Sequence, residues 1–222
     1  MRRIFFVILC LFLLCPSVEA AEEKYVALTF DDGPSGRYTQ RLLEGLESRG
    51  VKATFLLCGY RLKEYPSLAQ EIFDAGHEIG LHGFSHENMA KMTVSQVARE
   101  LRDNRALLPE GCTPVFLRPP GGNSSEAVAQ AAKDAGLALL KWSVDPRDWA
   151  THDAAAVETA VVDTVRSGDV ILLHDMCDCS VDAALAIIDR LQAQGFRFVT
   201  VSELARIKDT RIQPGVMYSA FR

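Results

Sequence analysis

The chain has 222 residues, a formal net charge of −5 and no basic run. This argues against a nucleic acid, a polyanion or a membrane surface as partner, since each is held through clustered Lys and Arg. A hydrophobic content of 48% over this length suits one domain with a substantial core.

The N-terminus stands apart. Arg2 and Arg3 precede an apolar run over residues 4–14, and Val18-Glu19-Ala20 has the small-x-small form of a cleavage site. Residues 1–20 are therefore expected to be a secretory signal peptide and 21–222 the working domain. The run is short for a membrane span; a retained anchor is the alternative. A lipoprotein reading at Cys15 is set aside because bulky Leu14 precedes it. Cleavage would leave a secreted or cell-envelope protein with no stable membrane insertion.

Apolar runs and helical patterns then alternate. Strands are expected at 25–30, 53–57, 78–82, 114–117, 137–144, 169–173 and 196–201. Between them, helices are expected at 38–48, at 67–75 with Gly76 as its cap, from the Thr93-Val-Ser-Gln96 capping box to 108, at 125–135, at 154–166 and at 181–193, with a short helix from 202. About seven β-then-α units imply parallel strands joined by right-handed crossovers. The strands are nearly continuous apolar runs, as expected when both faces are covered. The fold class is α/β, a deformed (β/α)7 barrel in a single domain. An open sheet would gather its functional residues at one switch point, whereas here they are spread over five strand ends.

Of six cysteines, Cys10 and Cys15 fall in the signal, leaving Cys58, Cys112, Cys177 and Cys179. Four cysteines in an exported chain permit three complete pairings. Cys177 and Cys179 are close enough in sequence that a mutual bridge would be strained, which leaves open a bridge from Cys58 to one of them, since both follow strands ending on the same predicted rim. Buried free thiols are the alternative. A soft-metal site is disfavoured, because no spaced Cys-x-x-Cys pairs occur.

Five short motifs lie at or just past predicted strand ends: Asp31-Asp32, His82-x-x-x-His86, Arg118-Pro-Pro, Asp145-Pro-Arg-Asp148-Trp149 and Leu172-Leu173-His174. In a parallel barrel that rim is where catalytic groups gather. Together they offer a carboxylate and two imidazoles for a metal, a spare carboxylate as base and a spare histidine as acid, which is equipment for metal-assisted hydrolysis. Histidines four apart can face one way on a helical turn. Each motif also has a plain structural reading. Asp-Asp-Gly-Pro suits an ordinary turn, His86 a surface residue, His174 a satisfied core histidine, Trp149 and Leu172 ordinary core, and the Arg and Asp residues surface ion pairs of little energetic value. Two histidines plus one carboxylate also describe the facial triad of non-haem iron oxygenases, whose double-stranded β-barrels this sequence does not suggest.

Thr29-Phe-Asp-Asp-Gly-Pro34, His82-Gly-Phe-Ser-His86, Arg118-Pro-Pro-Gly-Gly122, Asp145-Pro-Arg-Asp-Trp149 and Leu172-Leu-His174 resemble, in order and spacing, the five motifs of the polysaccharide deacetylases, the NodB-homology domain of carbohydrate esterase family four. The resemblance spans residues 25–204. It implies a divalent metal, zinc or alternatively cobalt or another divalent ion, bound by Asp32, His82 and His86. It implies Asp31 as general base and His174 as general acid, with Arg118 orienting Asp31 and Asp148 partnering His174, while Asp145 looks structural. Trp149 and Leu172 would wall an acetyl-methyl pocket, and the Gly121 N–H would face the oxyanion. The implied activity is removal of N-acetyl groups from N-acetylglucosamine-containing glycans, peptidoglycan or chitin-like oligomers, with the glycan as partner and no specific protein partner. An O-acetyl-polysaccharide esterase of the xylan type, or a non-catalytic cell-wall glycan-binding protein on the same fold, are the alternatives. Two departures bear on substrate grip. Gly83 stands where Ser or Thr usually follows the first histidine, and Gly121 where an aromatic residue is frequent.

Overall fold

The computed structural model describes residues 23–222; the expected signal peptide lies outside them. Strands and helices alternate along the chain as β1 (Lys24–Asp31), α1 (Arg37–Ser48), β2 (Thr54–Leu57), α2 (Gly59–Glu64), α3 (Pro66–Asp74), β3 (Glu78–Leu81), α4 (Val94–Arg105), β4 (Phe116–Leu117) and α5 (Glu126–Asp134). The series continues with β5 (Ala138–Leu140), α6 (Asp148–Thr151), α7 (Ala154–Val162), β6 (Val170–His174), α8 (Asp178–Ala193), β7 (Phe196–Phe198), α9 (Val201–Ile207) and β8 (Met217–Tyr218). Among the described residues no helix is long and apolar enough to cross a membrane.

Every strand pairs in parallel, in the order β6-β1-β2-β3-β4-β5-β8, with β7 laid against the first half of β1. Beyond β5 the chain returns to β6 through a parallel bridge between Val144 and Ile171. The sheet thus curls into a deformed half-barrel within one α/β domain.

The pleat decides which residues meet. Successive side chains of a strand face opposite sides of the sheet. Val26, Leu28 and Phe30 of β1, Phe55 and Leu57 of β2, and Ile171 and Leu173 of β6 pack outward with α1, α3, α7 and α8. Ala27, Leu56, Phe116, Ala138, Leu140 and Val170 turn inward and fill the curl together with Val201 and Leu204 of α9 and Phe221. Continuing the inward set by steps of two, from Ala27 to Asp31, Phe116 to Arg118, and Val170 to His174, carries the apolar interior up to a polar rim. The register seals this, since Asp31 pairs with His174 and Thr29 with Leu172.

Several details differ from the sequence reading. Eight strands are present among the described residues, the last formed by Met217–Tyr218 near the C-terminus. The strand expected over 137–144 is three residues long, with the remainder reduced to the Val144 bridge, and the helix expected to reach 166 ends at Val162. The short helices α2 and α6 were not anticipated, because four to six residues carry too little periodicity to register. The capping box forms as expected, with Thr93 and Gln96 each satisfying the other's backbone N–H.

The disulfide expectation is corrected. Cys177 bonds Cys179 with their α-carbons 5.4 Å apart, inside the usual range, while Cys58 and Cys112 are free. The extended backbone of Cys177 at the N-cap of α8 lets the two side chains meet across the helix start.

Candidate active site

A cavity of about 580 Å³ opens at the C-terminal rim, lined by Asp31, Asp32, His82, His86, Gly121, Trp149, Leu172 and His174. Arg118 and Asp148, the other two expected residues, stand directly behind it and are fully buried. All ten residues singled out in the sequence are therefore brought to one place.

Asp32, His82 and His86 converge. Asp32 Oδ1 lies 3.2 Å from His82 Nε2 and 3.0 Å from His86 Nε2, and the three ligand atoms fall within 4.8 Å of one another. His82 is buried and sets its Nδ1 2.6 Å from the Arg118 carbonyl oxygen. A carbonyl only accepts, so Nδ1 carries the hydrogen and Nε2 presents its lone pair to Asp32. Two lone pairs at this distance repel unless a proton or a cation lies between them. Asp32 Oδ1 is itself buried without an aligned hydrogen bond. Burial would raise the Asp32 pKa, but the two imidazoles hold it below the ordinary carboxylate range, and Asp32 in turn raises the pKa of His86. A buried oxygen with no aligned hydrogen bond, facing the Nε2 atoms of two imidazoles, is a donor set suited to a divalent cation, with three protein ligands and an open side.

The loop bearing these histidines is not a helical turn, which corrects the sequence reading. His82 follows the end of β3, Gly83 has φ 78° and His86 φ 60°. The bracing comes from elsewhere. Glu100 of α4 accepts from the Phe84 N–H (2.8 Å), the Ser85 N–H (2.9 Å) and the Ser85 hydroxyl (3.0 Å). Gly59 and Tyr60, in the first turn of α2, donate to the Gly83 and Phe84 carbonyls. A side chain at Gly83 would be strained by its φ and would meet the Met89 terminal methyl at 2.6 Å. Glycine there is thus a consequence of this loop path.

Asp31 is buried, and its Oδ1 accepts from Arg118 Nη1 at 2.6 Å. The guanidinium also donates to Thr29 Oγ1 and to the Lys141 carbonyl, each at 2.8 Å, so it is clamped on three sides. His174 places Nδ1 2.9 Å from Asp148 Oδ1. Asp148 Oδ2 accepts from the His174 N–H (2.9 Å) and the Ser180 hydroxyl (2.7 Å), which leaves Nε2 for the cavity. Burial alone would lower the His174 pKa, but the hydrogen bond and charge of Asp148, with Asp31 and Asp32 adding, push it up to about 9. Neither buried pair is a surface ion pair.

Trp149 is 54% exposed, so it is not ordinary core, whereas Leu172 is 4% exposed; both line the cavity. Asp145 is exposed and accepts from the Arg147 N–H, a local turn role. Gly121 lies on the rim with φ 64°.

The sequence reading missed Asp175. It is fully buried, bonded to Thr39 and packed against Gly33, where any Cβ would meet its carboxylate at 2.7 Å. Burial pushes its pKa up to about 6. It supports the turn that follows Asp31 and Asp32 from below. Its signal was a charged residue directly after an apolar strand, masked by the histidine beside it. Trp142, Met176, His152 and Cys177 also line the cavity unanticipated.

Comparison with known proteins gives a consistent result. Residues 19–140 match the family model of the polysaccharide deacetylases. The chain is 39% identical over 192 residues to a peptidoglycan-N-acetylglucosamine deacetylase of Bacillus cereus, covering 84% of this chain and 90% of that protein. It is 34% identical to the peptidoglycan-N-acetylmuramic acid deacetylase PdaC of Bacillus subtilis, a longer protein of which the chain spans 40%. Its structure superposes with a TM-score of 0.82, at 34% identity, on a family 4 acetyl xylan esterase from Clostridium thermocellum solved with a cobalt ion, covering 89% of this chain and 98% of that one.

Proposed function

The chain belongs to the polysaccharide deacetylase family, and from that premise we propose that it is a secreted, metal-dependent hydrolase removing N-acetyl groups from N-acetylglucosamine-containing glycans. Peptidoglycan is the foremost substrate and chitin-like oligomers the second, and work on a cell-wall polymer implies a place outside the cytoplasm. The observation that carries this reading is one cavity in which an Asp-His-His ligand set stands between an arginine-clamped carboxylate and an aspartate-clamped histidine.

Asp32, His82 and His86 would hold a divalent ion, zinc or alternatively cobalt, which would polarise the acetyl carbonyl and acidify water. Arg118 fixes Asp31 through Oδ1, leaving Oδ2 to take a proton from the attacking water. The Gly121 N–H donates to the tetrahedral oxyanion, a contact typically worth about 3 kcal/mol of barrier. Trp149 and Leu172 enclose the acetyl methyl. His174, held through Nδ1 by Asp148, protonates the leaving nitrogen from Nε2 as the C–N bond breaks. Acetate and a free amine result.

The likeness to an acetyl xylan esterase supports a second reading, O-deacetylation of a polysaccharide, since ester and amide pass through the same kind of oxyanion. Acetate release from peptidoglycan and N-acetylglucosamine oligomers, set beside release from acetylated xylan, separates the two. Faster turnover of the N-acetyl substrates is expected. Turnover of xylan esters alone would assign the second reading, and glycan binding without any release would leave a binding protein.

A further inference from the structure

The disulfide at the cavity mouth has a third member. His152 Nδ1 lies 3.8 Å from Cys179 Sγ, and the Nδ1 atom and the two sulfurs all fall within 4.8 Å of one another. His152 follows α6 with a left-handed backbone, φ 50°, which aims its ring at the start of α8. Both cysteines are partly exposed at the cavity mouth.

The bond itself does little for the fold. Its partners are two residues apart, and a loop that short removes little entropy from the unfolded chain. Cys177 and Cys179 sit at the N-terminus of α8, where the helix dipole favours the thiolate, the form that ligates a metal. Among the described residues the other two thiols are poor rivals, since burial raises the pKa of both Cys58 and Cys112.

We propose that Cys177, Cys179 and His152 form a second, sulfur-rich cation site that is open when the pair is reduced and closed when it is bridged. Two thiolates and an imidazole select a soft or borderline cation such as Cu(I), Zn(II) or Cd(II). The first site, built from one oxygen and two nitrogens, has no sulfur. In a tetrahedral site with metal–sulfur bonds of about 2.3 Å, two sulfurs stand roughly 3.8 Å apart, a separation that residues with α-carbons 5.4 Å apart reach by side-chain rotation. Opening requires a small dithiol reductant. Its thiolate attacks one sulfur, the Cys177–Cys179 bond breaks, the reductant leaves as a cyclic disulfide, and two protons end on the freed thiols. Cation binding then releases those protons. The site is independent of the deacetylase reading.

The test is a Cd(II) titration of the whole protein, reduced and freed of reductant under inert gas, beside the oxidised form. A thiolate-to-cadmium charge-transfer band requires sulfur, which Asp32, His82 and His86 do not offer, and the oxidised protein keeps every other cysteine and so controls for them. One equivalent is expected in the reduced protein and none in the oxidised. Cys179→Ser should abolish the band and His152→Ala should weaken affinity at least about tenfold. Absence of the band in the reduced protein, its persistence in Cys179→Ser, or unchanged affinity in His152→Ala would each overturn the proposal.

Discussion

Asp31 and His174 are register partners on adjoining strands, yet their neighbours prepare them for opposite tasks. Arg118 engages one oxygen of Asp31 and Asp148 engages Nδ1 of His174. Asp31→Asn should keep the metal bound while acetate release falls by roughly 10²- to 10⁴-fold, the usual worth of a positioned base; near-normal turnover with bound metal would remove Asp31 from that role. For His174 the sign is set by a pKa raised from 6.5 to about 9. The imidazolium persists through neutral pH, and acid function is lost as pH rises through about 9. A cation at Asp32 would offset part of the negative charge and draw this limb downward. Asp148→Asn should lower the basic limb of the kcat profile by roughly one to two pH units; an unmoved limb would mean that another group titrates there. Asp31, His82, Arg118 and His174 were legible in the sequence because each is a polar residue ending or directly following an apolar strand. Asp175 was not, because nothing in Leu-Leu-His-Asp distinguishes an acid that faces the cavity from one buried under the Gly33 turn.

At the scale of elements, the loop over residues 82–86 depends on a helix far from it in sequence. Glu100 takes three hydrogen bonds from Phe84 and Ser85, so Glu100→Ala should weaken metal affinity by about 10- to 100-fold, as loss of groups supporting metal ligands does. Isothermal titration would show this, and unchanged affinity would mean that the contacts from α2 suffice. The sequence located α4 correctly through its capping box, but the helix also braces this loop, a contact that spans fifteen residues and leaves no local pattern. The same limit explains the helical expectation for His82 and His86. A spacing of four is compatible with one turn of helix, and the left-handed Gly83 and His86 become visible only once β3, α2 and α4 fix the path. The Cys177–Cys179 bond was missed for a related reason, since the extended N-cap of α8 supplies a geometry that spacing alone does not.

For the molecule as a whole, alternation of apolar runs and helical patterns was enough to read a single parallel α/β domain, because strands covered on both faces leave so plain a trace. What the pattern could not supply was the closing detail, the two-residue strand Met217–Tyr218 and the bridge at Val144, which are too short to carry periodicity. A cation bound only by the folded chain should stabilise it. At a hundredfold excess over Kd the gain is about 2.7 kcal/mol, or on the order of 5–10 °C in Tm for a domain of this size, visible by calorimetry and absent in His86→Ala. The most direct test of the account is acetate release from peptidoglycan and N-acetylglucosamine oligomers, measured for the protein loaded with zinc or cobalt, for the chelated protein and for His86→Ala. Release that requires both the metal and His86 is the predicted result. Undiminished release from the chelated protein or from His86→Ala would contradict it.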